Sequence, residues 1–224
     1  LAYEAAYLAS WSYARTSDYR NAARYAALAA DTAASGAAPR GESPAEAESR
    51  ARYLEGTLRP FFSDWTGAVA ALNRAAALGT SYSVRAAFEL GTVRYLEGKV
   101  DDADAAYAAV TRNYADHPLA AEASFRRGEL LYGAKRWAEA ADRFAAYRQS
   151  YPNGSHVDAA LYFGGLSQNS LNRPDAAILL WERLLREFPG GRYRFGTLVA
   201  LGQAHWAKSE WEAAFRVYTT ALAE

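Results

Sequence analysis

Four glycines stand at one fixed interval: Gly91, Gly128, Gly165 and Gly202, each 37 residues after the last. Twelve residues beyond each glycine is an alanine, namely Ala103, Ala140, Ala177 and Ala214. Four further on is an aromatic: Tyr107, Phe144, Trp181 and Tyr218. With glycine at about 7% of residues, three more in-register glycines have a chance of roughly a few in ten thousand. A period of this length means one supersecondary unit repeated many times, each burying its apolar face only against its neighbours.

The unit is a pair of helices. Second helices carry apolar stripes at helical spacing, as in Trp137, Ala140, Ala141 and Phe144, or Trp211, Ala214, Phe215 and Tyr218. Nothing alternates like a strand. Tyr151-Pro152-Asn153-Gly154 and Phe188-Pro189-Gly190-Gly191 end second helices, and short breaks at Gly133 to Lys135 and Asn172 to Pro174 divide the pairs, with Pro174 suited to a first helical turn. The glycine and the alanine are expected to face each other where the paired helices approach, with the aromatic filling the space toward the neighbouring pair. A helix-interior glycine costs about 1 kcal/mol against alanine, so close packing has to offset it.

Looser copies precede the regular ones. Gly56, Ala68 and Leu72 keep the spacing, with Trp65 where Trp137 and Trp211 fall; Ser10, Ala22 and Ala26 keep it too, with Tyr19 in the tryptophan place. We therefore expect an all-α, right-handed superhelical solenoid of about six antiparallel helix pairs. A first hairpin over 1–33 precedes a loop or linker at 34–44. The solenoid proper covers 45–224, with repeats at about 45–80, 84–116, 120–153, 157–190 and 194–224.

Glycine, then alanine, then a large side chain resembles the tetratricopeptide repeat (TPR). The starts Ala86-x-Phe88-x-x-Gly91, Ala123-x-Phe125-x-x-Gly128 and Ala160-x-Tyr162-x-x-Gly165, each preceded by a turn and two of these turns carrying an aromatic or its proline, resemble the TPR proteins of the bacterial cell envelope. These include outer-membrane assembly lipoproteins and Tol-associated periplasmic proteins. The resemblance covers about residues 84–224 well and the first 80 poorly. It implies a non-catalytic protein-protein interaction scaffold in the bacterial periplasm, lipid-anchored upstream of residue 1; a cytoplasmic location is the alternative. A second function in keeping with it is a non-catalytic helical portion of a larger envelope enzyme, such as one acting on peptidoglycan. The chain opens on Leu1 and has no methionine, so a processed or trimmed start is expected, with any signal or anchoring segment upstream.

Composition narrows the chemistry. Basic and acidic residues number 25 each, which argues against nucleic acid or anionic lipid as a partner. The absence of cysteine removes disulfides, thiolate metal sites and a cysteine nucleophile. No apolar run reaches the length of a transmembrane helix. His117, His156 and His205 have no metal-binding spacing, and Asp101, Asp102 and Asp104 read as the acidic start of a helix. Gly164-Gly165 and Gly190-Gly191 lack the lysine and hydroxyl residue of a phosphate loop, and no serine sits in a nucleophile elbow. No catalytic residue, metal or cofactor is expected.

An aromatic series remains. Phe88, Phe125 and Tyr162 lie three residues before their glycines, with Tyr53 and Tyr7 in the looser copies; Tyr95, Tyr132 and Trp206 lie four after. In the architecture that the chain resembles, first helices line the concave face. A protein or peptide partner is then expected to meet Tyr95, Glu129, Tyr132, Asn169, Gln203 and Trp206, with Phe88, Phe125 and Tyr162 beneath or beside them. Chaperone-binding TPR domains hold a C-terminal carboxylate with a lysine/asparagine clamp. Phe88, Thr92, Phe125 and Glu129 occupy those places here, so that activity is not expected. The last helix, placed at about Glu210 to Glu224, has no clearly polar face. Val217 and Leu222 are therefore expected to be covered by further chain, by a second copy or by a partner.

Overall fold

The computed structural model describes residues 1–223, and among these are twelve α-helices and no strand. They are α1 (Ala2–Arg15), α2 (Tyr19–Ala34), α3 (Pro44–Leu58), α4 (Trp65–Ala77), α5 (Ser83–Leu96) and α6 (Val100–Asn113), followed by α7 (Pro118–Gly133), α8 (Trp137–Ser150), α9 (Val157–Ser170), α10 (Pro174–Glu187), α11 (Arg194–Ala207) and α12 (Trp211–Leu222). A 3₁₀ turn, Arg59–Phe62, continues α3. Glu224, where the sequence places the end of the last helix, lies outside the described residues. The chain divides into two compact units, Leu1–Ala123 and Ser124–Glu224, each with buried clusters of its own.

All six pairs are closed by the same turn. Seven residues past each glycine position the backbone is left-handed: Ser17, Ser63, Gly98, Lys135, Asn172 and Ser209 all have φ between 57° and 85°. The next residue is extended enough to start the second helix, from φ −84°, ψ 69° at Asp18 to φ −88°, ψ 65° at Glu210. Its N–H donates to the carbonyl five residues back, as in Asp18 to Tyr13 (2.9 Å), Lys99 to Arg94 (2.9 Å) and Arg173 to Gln168 (3.0 Å). The left-handed residue donates three back, as in Lys135 to Tyr132 (2.9 Å). This pair of bonds satisfies the last carbonyls of the first helix and turns the chain at once into the second. Second helices accordingly begin nine residues past the glycine position, at Tyr19, Trp65, Val100, Trp137, Pro174 and Trp211.

In the first unit, α2 carries six fully buried alanines, Ala22, Ala23, Ala26, Ala29, Ala30 and Ala33. Side chains this small let α1 and α3 pack against it on two sides. The segment 34–44 does not separate the first hairpin from the second, because α2 and α3 pack across it. Tyr3 is buried, its hydroxyl donating to the Ala47 carbonyl at 3.0 Å, and burial pushes its pKa up to about 12. Two carboxylates on α3 are buried with arginines as counter-ions. Glu48 takes a bidentate pair of bonds from Arg74 of α4 (2.6 and 2.9 Å), and Glu55 accepts from Arg52 at 2.8 Å and from Arg59.

In the second unit the core is aromatic and aliphatic: Phe144, Tyr147, Leu161, Trp181 and Leu184 are all fully buried. Tyr151 and Phe188, each followed by proline, leave the helical conformation at φ about −130°, as the residue before a proline should. Tyr114 does the same at φ −135° before an alanine, so the aromatic cap does not require the proline.

The glycines answer to the aromatics more than to the alanines. A methyl added at Gly91 or Gly128 would sit 2.5 Å from the ring of Tyr107 or Phe144, and one at Gly202 would sit 2.5 Å from Tyr218. At Gly165 it would overlap the indole of Trp181, and at Gly56 it would meet Leu72 at 2.5 Å. The residue 16 positions on therefore occupies the space of the missing side chain within the same pair, which corrects the expected glycine-to-alanine contact. The first hairpin shows the converse. Its large residue is replaced by Ala26, and there a serine fits: Ser10 is fully buried and donates to the Ala22 carbonyl at 2.8 Å.

A side chain held in the left-handed region costs about 1–2 kcal/mol, which glycine escapes. Lys135→Gly is therefore expected to raise the melting temperature by about 2–4 °C, and Gly98→Ala to lower it by a similar amount, followed by far-UV circular dichroism.

Candidate functional site

Each unit exposes aromatic and apolar side chains along its first helices. In the first unit, Phe88 is half-buried with its ring 5.1 Å from Tyr107. Tyr53 lies against Tyr82 at 5.7 Å, and Tyr7 stacks on Tyr3 with the Arg50 guanidinium 4.8 Å from its ring. Tyr95 is exposed.

Beside them is a cavity of about 320 Å³. Its walls are Thr57 at the end of α3, Pro60 and Phe61 of the 3₁₀ turn, Trp65 at the start of α4, and Glu89, Thr92, Val93 and Leu96 along one face of α5. Phe61 is 64% exposed and Leu96 58%, unusual values for side chains of this size and a mark of a surface that can gain by being covered. Sequence reasoning missed Phe61, Trp65 and Leu96 as surface residues of one cavity. The available signal was register: Phe61 and Leu96 both fall five residues after their glycines, and Pro60 stands where other repeats carry an aromatic.

In the second unit the expected residues separate into two groups. Phe125 is only 3% exposed. It stacks on His156 at 4.4 Å and packs against Phe144 and Tyr147, so it is core and unavailable to a partner, a correction to its expected place. Tyr132 is half-buried, edge-on to Trp137 (5.1 Å) and Phe163 (5.2 Å); burial, then the nearby Tyr162, raises its pKa. Tyr162 is half-buried and stacks on Tyr193 at 4.9 Å. Glu129 is held by Arg126 at 2.7 Å. Asn169, Gln203 and Trp206 are exposed, Trp206 by 60%, with its indole edge-on to Trp211 at 4.7 Å. On α12, Phe215 and Leu222 are exposed, while Val217 and Tyr218 are half-buried.

The polar groups that might have carried chemistry have local roles. His117 accepts the Leu119 N–H at 3.1 Å at the start of α7, His156 stacks on Phe125, and His205 pairs with Glu210 at 2.6 Å. Among the described residues no three metal-ligating side chains come together. No described helix is long and apolar enough to cross a membrane.

Comparison with known proteins places these pairs in a class. The family model of the tetratricopeptide repeat matches residues 88–155. Solved structures share the wider fold. BtubC (BKLC) from P. vanneervenii superposes with a TM-score of 0.64 at 14% identity, covering 90% of this chain and 88% of its own. A MamA structure from Desulfovibrio magneticus RS-1, residues 41 to the end, gives 0.59 at 16% identity, covering 78% and 93%. Another MamA crystal structure gives 0.58 at 20% identity, covering 75% and 92%. At these identities the likeness is one of fold: an all-α tetratricopeptide solenoid built from helix pairs. No curated protein matches the chain.

The packing divides the two aromatics four residues past their glycines by role. Tyr132→Ala is expected to lower stability by about 1–3 kcal/mol, because two ring contacts and buried area are lost. Trp206→Ala, at an exposed ring, is expected to change it by less than about 1 kcal/mol. Thermal denaturation of the two variants side by side tests this.

Proposed function

We propose that the chain is a non-catalytic scaffold that binds a protein or peptide partner through the faces of its first helices, the groove expected from the sequence. The observation that carries this is the set of exposed aromatic and apolar side chains on those faces, Tyr95, Phe61 and Leu96 in the first unit and Trp206 in the second. Half-exposed aromatics on a rigid helical support are what interface anchors are made of. Glu129, Asn169 and Gln203 supply polar groups beside them, and Tyr132 and Tyr162 give partial ring surface. Phe88 lends support from below.

The cellular setting belongs to the same proposal. The aromatic caps at Tyr151 and Phe188 and the starts of α5, α7 and α9 support a place in the bacterial envelope, with the chain tethered by lipid upstream. The exposed Phe215 and Leu222 on α12 support a further contact at that end, made by more chain or by a second copy.

The test is capture of partners from the source organism's envelope fraction by the purified chain and by a Tyr95→Ala/Trp206→Ala variant. A partner held by the parent and weakened by about tenfold or more in the variant, at unchanged helicity, is the expected result. Equal capture by both proteins, or turnover of a substrate by the purified chain, would overturn the proposal.

A further inference from the structure

The cavity in the first unit is explained by a substitution within the repeat itself. In the pair α7–α8, the residue four past the glycine is Tyr132, and its ring lies edge-on to Trp137, the first residue of the second helix. In the pair α11–α12 the same two positions are Trp206 and Trp211, again edge-on, at 4.7 Å. The pair α3–α4 keeps the tryptophan, Trp65, but places Pro60 opposite it. Proline carries no ring system to reach the indole, and it draws the chain into the 3₁₀ turn that exposes Phe61. The space an aromatic fills elsewhere in the fold is open here, bounded by Trp65, Phe61, Val93 and Leu96.

We infer that this cavity receives an aromatic side chain from the partner polypeptide, next to a lysine or arginine. The repeat's own packing identifies the ring: an edge-on aromatic is what Trp137 and Trp211 hold in the equivalent place, and such pairs add to the area they bury. Charge identifies the neighbour. Glu89 is the one ionisable side chain among the cavity walls, so a cation beside the inserted ring is favoured and an anion is disfavoured. Trp65 packs against the buried cluster of Ala68, Leu72, Ala75, Ala86 and Val93, so this wall is rigid before anything binds. The inference rests on the scaffold proposal and names the chemistry of its partner.

The experiment uses the whole chain with labelled leucine and valine methyls and three probes: acetyl-phenylalanyl-lysine amide, its alanyl-lysine counterpart and its phenylalanyl-glutamate counterpart. The first probe is expected to shift the Val93 and Leu96 methyl resonances saturably; the alanyl probe is expected to leave them in place. The glutamate probe should bind about threefold more weakly or worse, and Glu89→Gln should remove that difference. Pro60→Tyr, which restores the ring found in the other pairs, should weaken the first probe by about tenfold or more. Leu96→Lys, at an exposed position, should do the same, so the outcome does not depend on Pro60→Tyr folding. Equal shifts from the alanyl probe, or undiminished binding by folded Pro60→Tyr and Leu96→Lys, would overturn the assignment. Shifts at Val93 and Leu96 that grow with protein concentration without any probe would assign the cavity to a second copy and also overturn it. If the probes fail while capture still depends on Tyr95 and Trp206, the cavity assignment falls and the scaffold proposal stands.

Discussion

The structure depends on one steric exchange, made within each helix pair: a side chain is removed from the first helix so that a large one can enter from the second. Gly91, Gly128 and Gly202 lie under Tyr107, Phe144 and Tyr218 with no room for a methyl, and Gly165 lies under Trp181. A glycine inside a helix costs about 1 kcal/mol of propensity, and burying an aromatic ring in a close-packed site returns more than that. The exchange fixes how near the paired helices come and where the ring lies. The first pair shows that it is an exchange of volume and carries no other requirement for glycine. With Ala26 in place of the ring, Ser10 fits and even finds a hydrogen-bond acceptor.

The turns are the second constraint, and they are nearly invisible in composition. All six use a left-handed residue seven past the glycine position, yet only Gly98 is a glycine; the others are serines, a lysine and an asparagine. A left-handed lysine such as Lys135 has no sequence signature, because the conformation is imposed by the two helices it joins. The period of 37 and the boundaries it implies were legible because helix pairing repeats the same volumes at the same places. The partner of each glycine was not, since spacing alone cannot separate an alanine 12 residues on from an aromatic 16 on.

The faces were legible in part, for a related reason. Tyr95, Asn169, Gln203 and Trp206 are exposed as their register suggests. Phe125, in the same register as Phe88 and Tyr162, is buried because His156 from the following turn stacks on it. That contact joins residues 31 apart and follows no repeat position, so no periodicity argument could find it. The cavity at Pro60 was missed because it is defined by an absence: one repeat lacks the ring that its sisters carry against their tryptophans.

The steric exchange is tested most directly by a double-mutant cycle at Gly202 and Tyr218, read by urea denaturation. With Tyr218 present, the added methyl has to displace the ring, and Gly202→Ala is predicted to destabilise by about 1–3 kcal/mol. In the Tyr218→Ala background the space is free, and the same substitution is predicted to stabilise by up to about 1 kcal/mol through helix propensity. A change of sign between the two backgrounds is the predicted result. The same cost in both, within about 0.5 kcal/mol, would contradict the account and show that the glycine serves some purpose other than admitting the ring.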